Sequence, residues 1–110
     1  MRKQLDDPAL ERYVQEYSRC LSLVVRDLRT EKGLTQQEVA KRAKVSVLWV
    51  QRLEDHELNT NFSLSRLYPV ACALGVELYD LYARADEMAG PAPWLRERKI
   101  GEDQHNDIAG

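Results

Sequence analysis

Between Arg29 and Arg52 six basic side chains, Arg29, Lys32, Lys41, Arg42, Lys44 and Arg52, stand against two acidic ones, Glu31 and Glu38, a local excess of +4 in a chain of formal net charge -2. Guanidinium and ammonium groups at that density attract polyanions, and arginine adds two parallel N–H donors that match a phosphate. Because the whole chain is slightly acidic, affinity for nucleic acid has to come from this cluster and the face that displays it. Other chemistry is poorly supplied. Cys20 and Cys72 have no second thiol or histidine at a metal or disulfide spacing and are expected to be plain thiols. His56 and His105 meet no cysteine, serine or carboxylate that helical periodicity would bring beside them, and no phosphate-cradling glycine loop occurs. Neither an enzyme nor a cofactor is expected.

The elements that position the cluster follow from periodicity. Asp7-Pro8 is a helix start, since aspartate caps well and proline suits the first helical position. Leu10, Val14, Tyr17, Leu21, Val24 and Leu28 then recur at helical steps until Gly33 supplies a left-handed stop, which allows one helix over 8–32 or a break near Ser18-Arg19-Cys20. Leu34-Thr35-Gln36-Gln37-Glu38-Val39 opens the next helix: the Thr35 hydroxyl caps the Glu38 amide, the Glu38 carboxylate returns to the Thr35 amide, and Leu34 staples to Val39. This helix runs through Ala43. Ser46 opens another helix three residues later, with Val45 and Val50 in the same staple relation, and it continues through Leu53. Two short helices joined by so tight a turn must cross steeply, which is helix-turn-helix geometry.

A polar loop from Asp55 to Asn61 precedes a fourth helix capped by Ser63 or Asn61, with Phe62 stapling to Leu67, Pro69 kinking it or marking its true start, and Gly75 ending it. A fifth helix over about Glu77 to Met88 carries Leu78, Leu81, Tyr82 and Ala85 on one side. Beyond Gly90-Pro91-Ala92-Pro93 no period persists, and the tail is expected to be mostly disordered. The division expected is a helical extension over 1–18, an all-α domain over 19–88 and a flexible tail over 89–110. With 44% hydrophobic and 31% charged residues the chain should fold, and 110 residues leave no room for a second full domain. The segment Met1 to Asp7 lacks the apolar run of a secretory signal, and no window approaches the roughly 18 apolar residues of a membrane span. A cytoplasmic protein with no membrane partner is expected.

From Leu21 to Leu81 the pattern resembles the XRE, or Cro/CI-type, helix-turn-helix family: Leu28-Arg29, Gly33-Leu34-Thr35-Gln36, Glu38-Val39-Ala40, Val45-Ser46, Val50, Leu53-Glu54, and Ala73-Leu74-Gly75-Val76 in that order and spacing. The resemblance implies an all-α, five-helix, lambda-repressor-like domain that binds double-stranded DNA. The helix from Ser46 would lie in the major groove and the helix from Thr35 across the phosphate backbone. By position Thr35, Gln36, Lys44, Ser46, Val47, Leu48, Gln51, Arg52 and Asn61 would contact DNA, Gln36 through phosphate at its helix N-terminus and Arg52 by two hydrogen bonds to guanine O6 and N7. Trp49 falls beside the core-facing side and is expected to pack. Arg29 and Glu54 match positions that pair in the family and would tie the first helix to the end of the reading helix.

Two departures carry consequences. Lys44 stands where the family often has glycine, so a left-handed backbone there costs roughly 1 kcal/mol. Val47 and Leu48 are apolar where polar readers are common, which leaves open an interaction module binding a protein partner through that face. Proteins of this family usually bind operators as two-fold dimers. Leu10, Val14, Tyr17 and Val24 have no assigned partner inside the five-helix domain, so the extension either contributes to a homodimer interface or folds back on its own domain.

Overall fold

The computed structural model describes residues 8–56 and 63–92, and they form five helices. The first, α1 (Pro8–Glu31), is continuous; there is no break near Cys20. Its buried serines make this possible, because the Ser18 hydroxyl donates to the Val14 carbonyl at 2.9 Å and Ser22 to Ser18 at 3.2 Å, leaving no unsatisfied polar atom on a face otherwise made of Cys20, Leu21, Val24, Val25 and Leu28. Gly33, at φ +67°, ends α1, and the Leu34 amide reaches back to the Arg29 carbonyl at 3.0 Å.

The helix α2 (Gln36–Ala43) starts on the reciprocal cap expected of it: the Glu38 amide donates to Thr35 Oγ1 and the Thr35 amide to Glu38 Oε1, both at 3.0 Å. After it, Lys44 adopts φ 58° and ψ 41°, so the left-handed conformation is present without a glycine. The Val45 amide closes the turn on the Ala40 carbonyl at 3.1 Å, the same device that ends α1. The reading helix α3 (Val47–Glu54) follows, its Trp49 amide donating to Ser46 Oγ at 3.0 Å.

Ser63 precedes α4 (Leu64–Ala73) but makes no side-chain cap; its hydroxyl pairs with that of Ser65 at 2.7 Å. Asn61 and Phe62, expected to cap and staple this helix, lie outside the described residues. The helix runs through Pro69, which has no N–H for the Ser65 carbonyl. Last comes α5 (Leu78–Ala89), with the Glu77 amide held by Asp80 at 2.9 Å.

Packing follows the apolar faces. Along its length α1 lies against α5, while α2 packs on α3 and α4. Val25, Val39, Val50, Leu53, Leu67, Val70, Leu74 and Leu81 share one core, where a leucine truncated to alanine typically costs about 2–5 kcal/mol. Val24, open between a dimer surface and folding back on its own domain, is 1% exposed and belongs to this core, on the helix that packs against α5. Tyr17 likewise turns inward: its hydroxyl donates to the Tyr82 carbonyl at 3.1 Å and its ring stacks on that of Tyr82, centroids 6.4 Å apart. Tyr13 donates to the Gly90 carbonyl at 2.7 Å, and Ala92 beyond it is buried. The expected boundary at residue 18 therefore falls inside a single helix, and the packed chain continues past residue 88 to Ala92. Leu10 and Val14 keep part of their surface in solvent.

Candidate nucleic-acid interface

The interface is organised around one buried carboxylate. Glu54, its side chain 1% exposed at the end of α3, accepts Arg29 Nε at 2.6 Å on Oε2 and Arg29 Nη2 at 2.9 Å on Oε1. Gln36 Nε2, from the first residue of α2, adds a third donor to Oε1 at 3.0 Å. The remaining arm of Arg29, Nη1, donates to the Leu34 carbonyl at 2.8 Å. A charge taken out of water is tolerable only when matched and fully hydrogen-bonded, and here donors from α1 and α2 converge on α3 to do that. The hydrogen bonds to Glu54 in turn raise the Arg29 pKa above its already high ordinary value. The Arg29–Glu54 pairing expected from the sequence is thus present. The Gln36–Glu54 bond was not foreseen, since nothing local in the sequence joins positions on different helices. With one Nε2 proton on Glu54, Gln36 keeps a second that can be donated to another acceptor.

Cap chemistry limits what the neighbouring groups can offer. The Thr35 hydroxyl and the Ser46 hydroxyl both accept a backbone N–H, so each can still donate its own proton outward. The Thr35 amide is occupied by Glu38, whose carboxyl is held below the usual carboxylate range chiefly by that backbone hydrogen bond.

On α3 the outer face is Leu48, 50% exposed, with Gln51 and Arg52 exposed beside it. Val47 departs from expectation: it is partly buried and packs against the core, because as the first residue of α3 it lies against the helices behind. It has correspondingly less surface for a base edge. Trp49 is 7% exposed and packs in the core, as its position implied. Lys41, Arg42, Lys44 and Arg52 are all exposed, and the ion pairs among the described residues, Arg19–Glu16, Arg29–Glu54 and Arg84–Glu31, include none of them. With Arg29 paired to Glu54, these four and Lys32, likewise exposed and outside those ion pairs, are the outward positive charge of the cluster. Asn61 lies outside the described residues.

One cation escaped sequence reasoning. Arg66, in the first turn of α4, places its guanidinium 5.9 Å from the centroid of the Trp49 ring. No periodicity relates the two residues; they meet only because α3 and α4 both pack on α2. Of the remaining reactive side chains, Cys20 is buried and Cys72 exposed, while His56 takes a left-handed backbone at φ 59° after α3. His105 lies outside the described residues.

A family model described as helix-turn-helix matches residues 25–81, from the middle of α1 into α5, just over half of the chain. No curated protein and no solved structure matches it significantly. Among the described residues no helix is long and apolar enough to cross a membrane.

Proposed function

The chain belongs to the XRE-type helix-turn-helix family and carries its DNA-binding fold, and from that premise we propose that it is a sequence-specific transcriptional regulator, a repressor or autoregulatory controller acting in the cytoplasm as a homodimer. The observation that carries this reading is the exposed Gln51–Arg52 face of α3, on a helix whose position is held by the buried Glu54 cluster. A guanidinium so presented can donate to both acceptors of a guanine, while the Leu48 side chain beside it suits a thymine methyl. Lys41, Arg42, Lys44 and Gln36 supply the sequence-blind phosphate contacts that set register on the duplex. One eight-residue helix reads few base pairs, so useful specificity calls for a second copy on the adjacent half-site. Leu10 and Val14 are the surface of α1 left to join such a dimer.

Selection of duplexes from a random pool, followed by titration of the selected site across a salt series, tests this. The wild type should enrich a two-fold symmetric site, and Arg52→Ala should lose about 1–3 kcal/mol of discrimination at one base pair of each half-site. Weak, steeply salt-dependent and sequence-blind binding by both forms would overturn it. Leu48, half exposed in the same face, supports a second reading as a partner-binding module, and the same Arg52→Ala comparison separates the two.

A further inference from the structure

We propose that Arg66 is a further phosphate-binding residue of this interface, presented beside the N-terminal end of the reading helix by the indole of Trp49. The inference rests on the reading of the chain as a DNA-binding regulator and adds to it a contact from α4, outside the two helices of the motif.

Arg19, Arg29 and Arg84 meet carboxylates through the edge of the guanidinium, where the N–H donors lie. Arg66 has no carboxylate partner among the described residues, and its guanidinium lies over the Trp49 ring, 5.9 Å from the centroid. A guanidinium attracted to an aromatic ring interacts through the ring's electron-rich face and still has in-plane N–H donors, a fork that matches a phosphate. The planar fork is itself pre-organised, so less conformational freedom is lost per hydrogen bond when it closes on a ligand.

The location fits an anion. Trp49 lies in the first turn of α3, next to Val47 and Leu48, so the charge of Arg66 sits within one side chain of the end of α3 that would enter the groove. Neither α3 nor α4 has an acidic residue in its first turn, so no carboxylate there competes for the cation or repels a phosphate. This also accounts for a large amphipathic ring at the start of a reading helix: it serves the core while its surface steers a cation.

The competing explanation is that the Arg66 stem merely covers the indole and stabilises the core. Titration of the wild-type selected duplex across a salt series, with Arg66→Ala, Arg66→Lys and Trp49→Phe beside the wild type and a thermal melt of each, separates the two. Arg66→Ala should weaken binding about tenfold on every duplex tested, selected or not, and flatten the dependence of log K on log salt by about 0.9, the signature of one lost phosphate contact. Arg66→Lys should keep the slope and lose part of the affinity, since a lysine retains the charge but not the planar fork. Trp49→Phe should keep the slope and weaken binding a few-fold through a poorer platform. Wild-type affinity and slope in Arg66→Ala, with or without a lowered melting temperature, would overturn the inference while leaving the regulator reading intact. Absence of any sequence-selected site for the wild type would overturn that reading, and the inference with it.

Discussion

At the scale of single residues, Glu54 is the side chain on which the interface depends. It is a carboxylate removed from water whose hydrogen bonds come from α1 and α2, so its loss strands the Arg29 guanidinium, 18% exposed, without its counter-charge. Breaking one side of a buried pair typically costs about 3–5 kcal/mol. Chemical denaturation of Glu54→Ala should therefore show a loss in that range, a large fraction of the stability of a domain this small. A loss below about 1 kcal/mol would mean that the pair contributes no more than a surface ion pair. Gln36→Ala should cost less, because Glu54 keeps Arg29, and its effect belongs mainly to DNA binding.

At the scale of elements, the turn between α2 and α3 sets the angle at which the reading helix leaves its partner. That turn demands a left-handed residue, and the chain supplies Lys44 at φ 58°. Gly33 and Gly75 meet the same demand at the ends of α1 and α4 without a Cβ penalty. Lys44→Gly is therefore expected to stabilise the domain by about 1 kcal/mol, read as a shift in denaturation midpoint with unchanged slope. The same substitution removes an exposed positive charge, so in a DNA titration it should lower affinity on all duplexes alike while the fold becomes more stable. Opposite signs in the two assays would separate the backbone role of Lys44 from its charge.

At the scale of the whole molecule, the first ten residues of α1 are tied back to the C-terminal end of the described chain through Tyr13 and Tyr17. Tyr17 fastens α1 to Tyr82 within α5 and Tyr13 fastens it to Gly90 just beyond, with hydroxyls that remain donors; burial raises the pKa of both, Tyr17 the more strongly, with Asp86 nearby adding to it. Deleting residues 1–17 removes both hydrogen bonds and uncovers the Tyr82 ring. The thermal midpoint should fall by roughly 10 °C or more, from about 1 kcal/mol per bond plus the lost burial. This fall should be the same at every protein concentration. A difference that grows with concentration would instead assign the segment chiefly to the dimer, where Leu10 and Val14 remain available.

Much of this molecule is set locally. Helix starts at Thr35 and Ser46 are written in cap residues whose partners lie three positions away, and the stops at Gly33 and Gly75 in residues that alone adopt positive φ cheaply. The Arg29–Glu54 pair was legible only through the family resemblance, because the two lie on different helices. The tertiary structure alone decided what depends on one helix lying over another: Val24 entering the core, Tyr17 folding onto Tyr82, Gln36 reaching Glu54, and Arg66 meeting Trp49. An amphipathic pattern states that a face will be buried, but the free energy of burying it is indifferent to which neighbour does the covering. That choice is made by the packing of the whole chain.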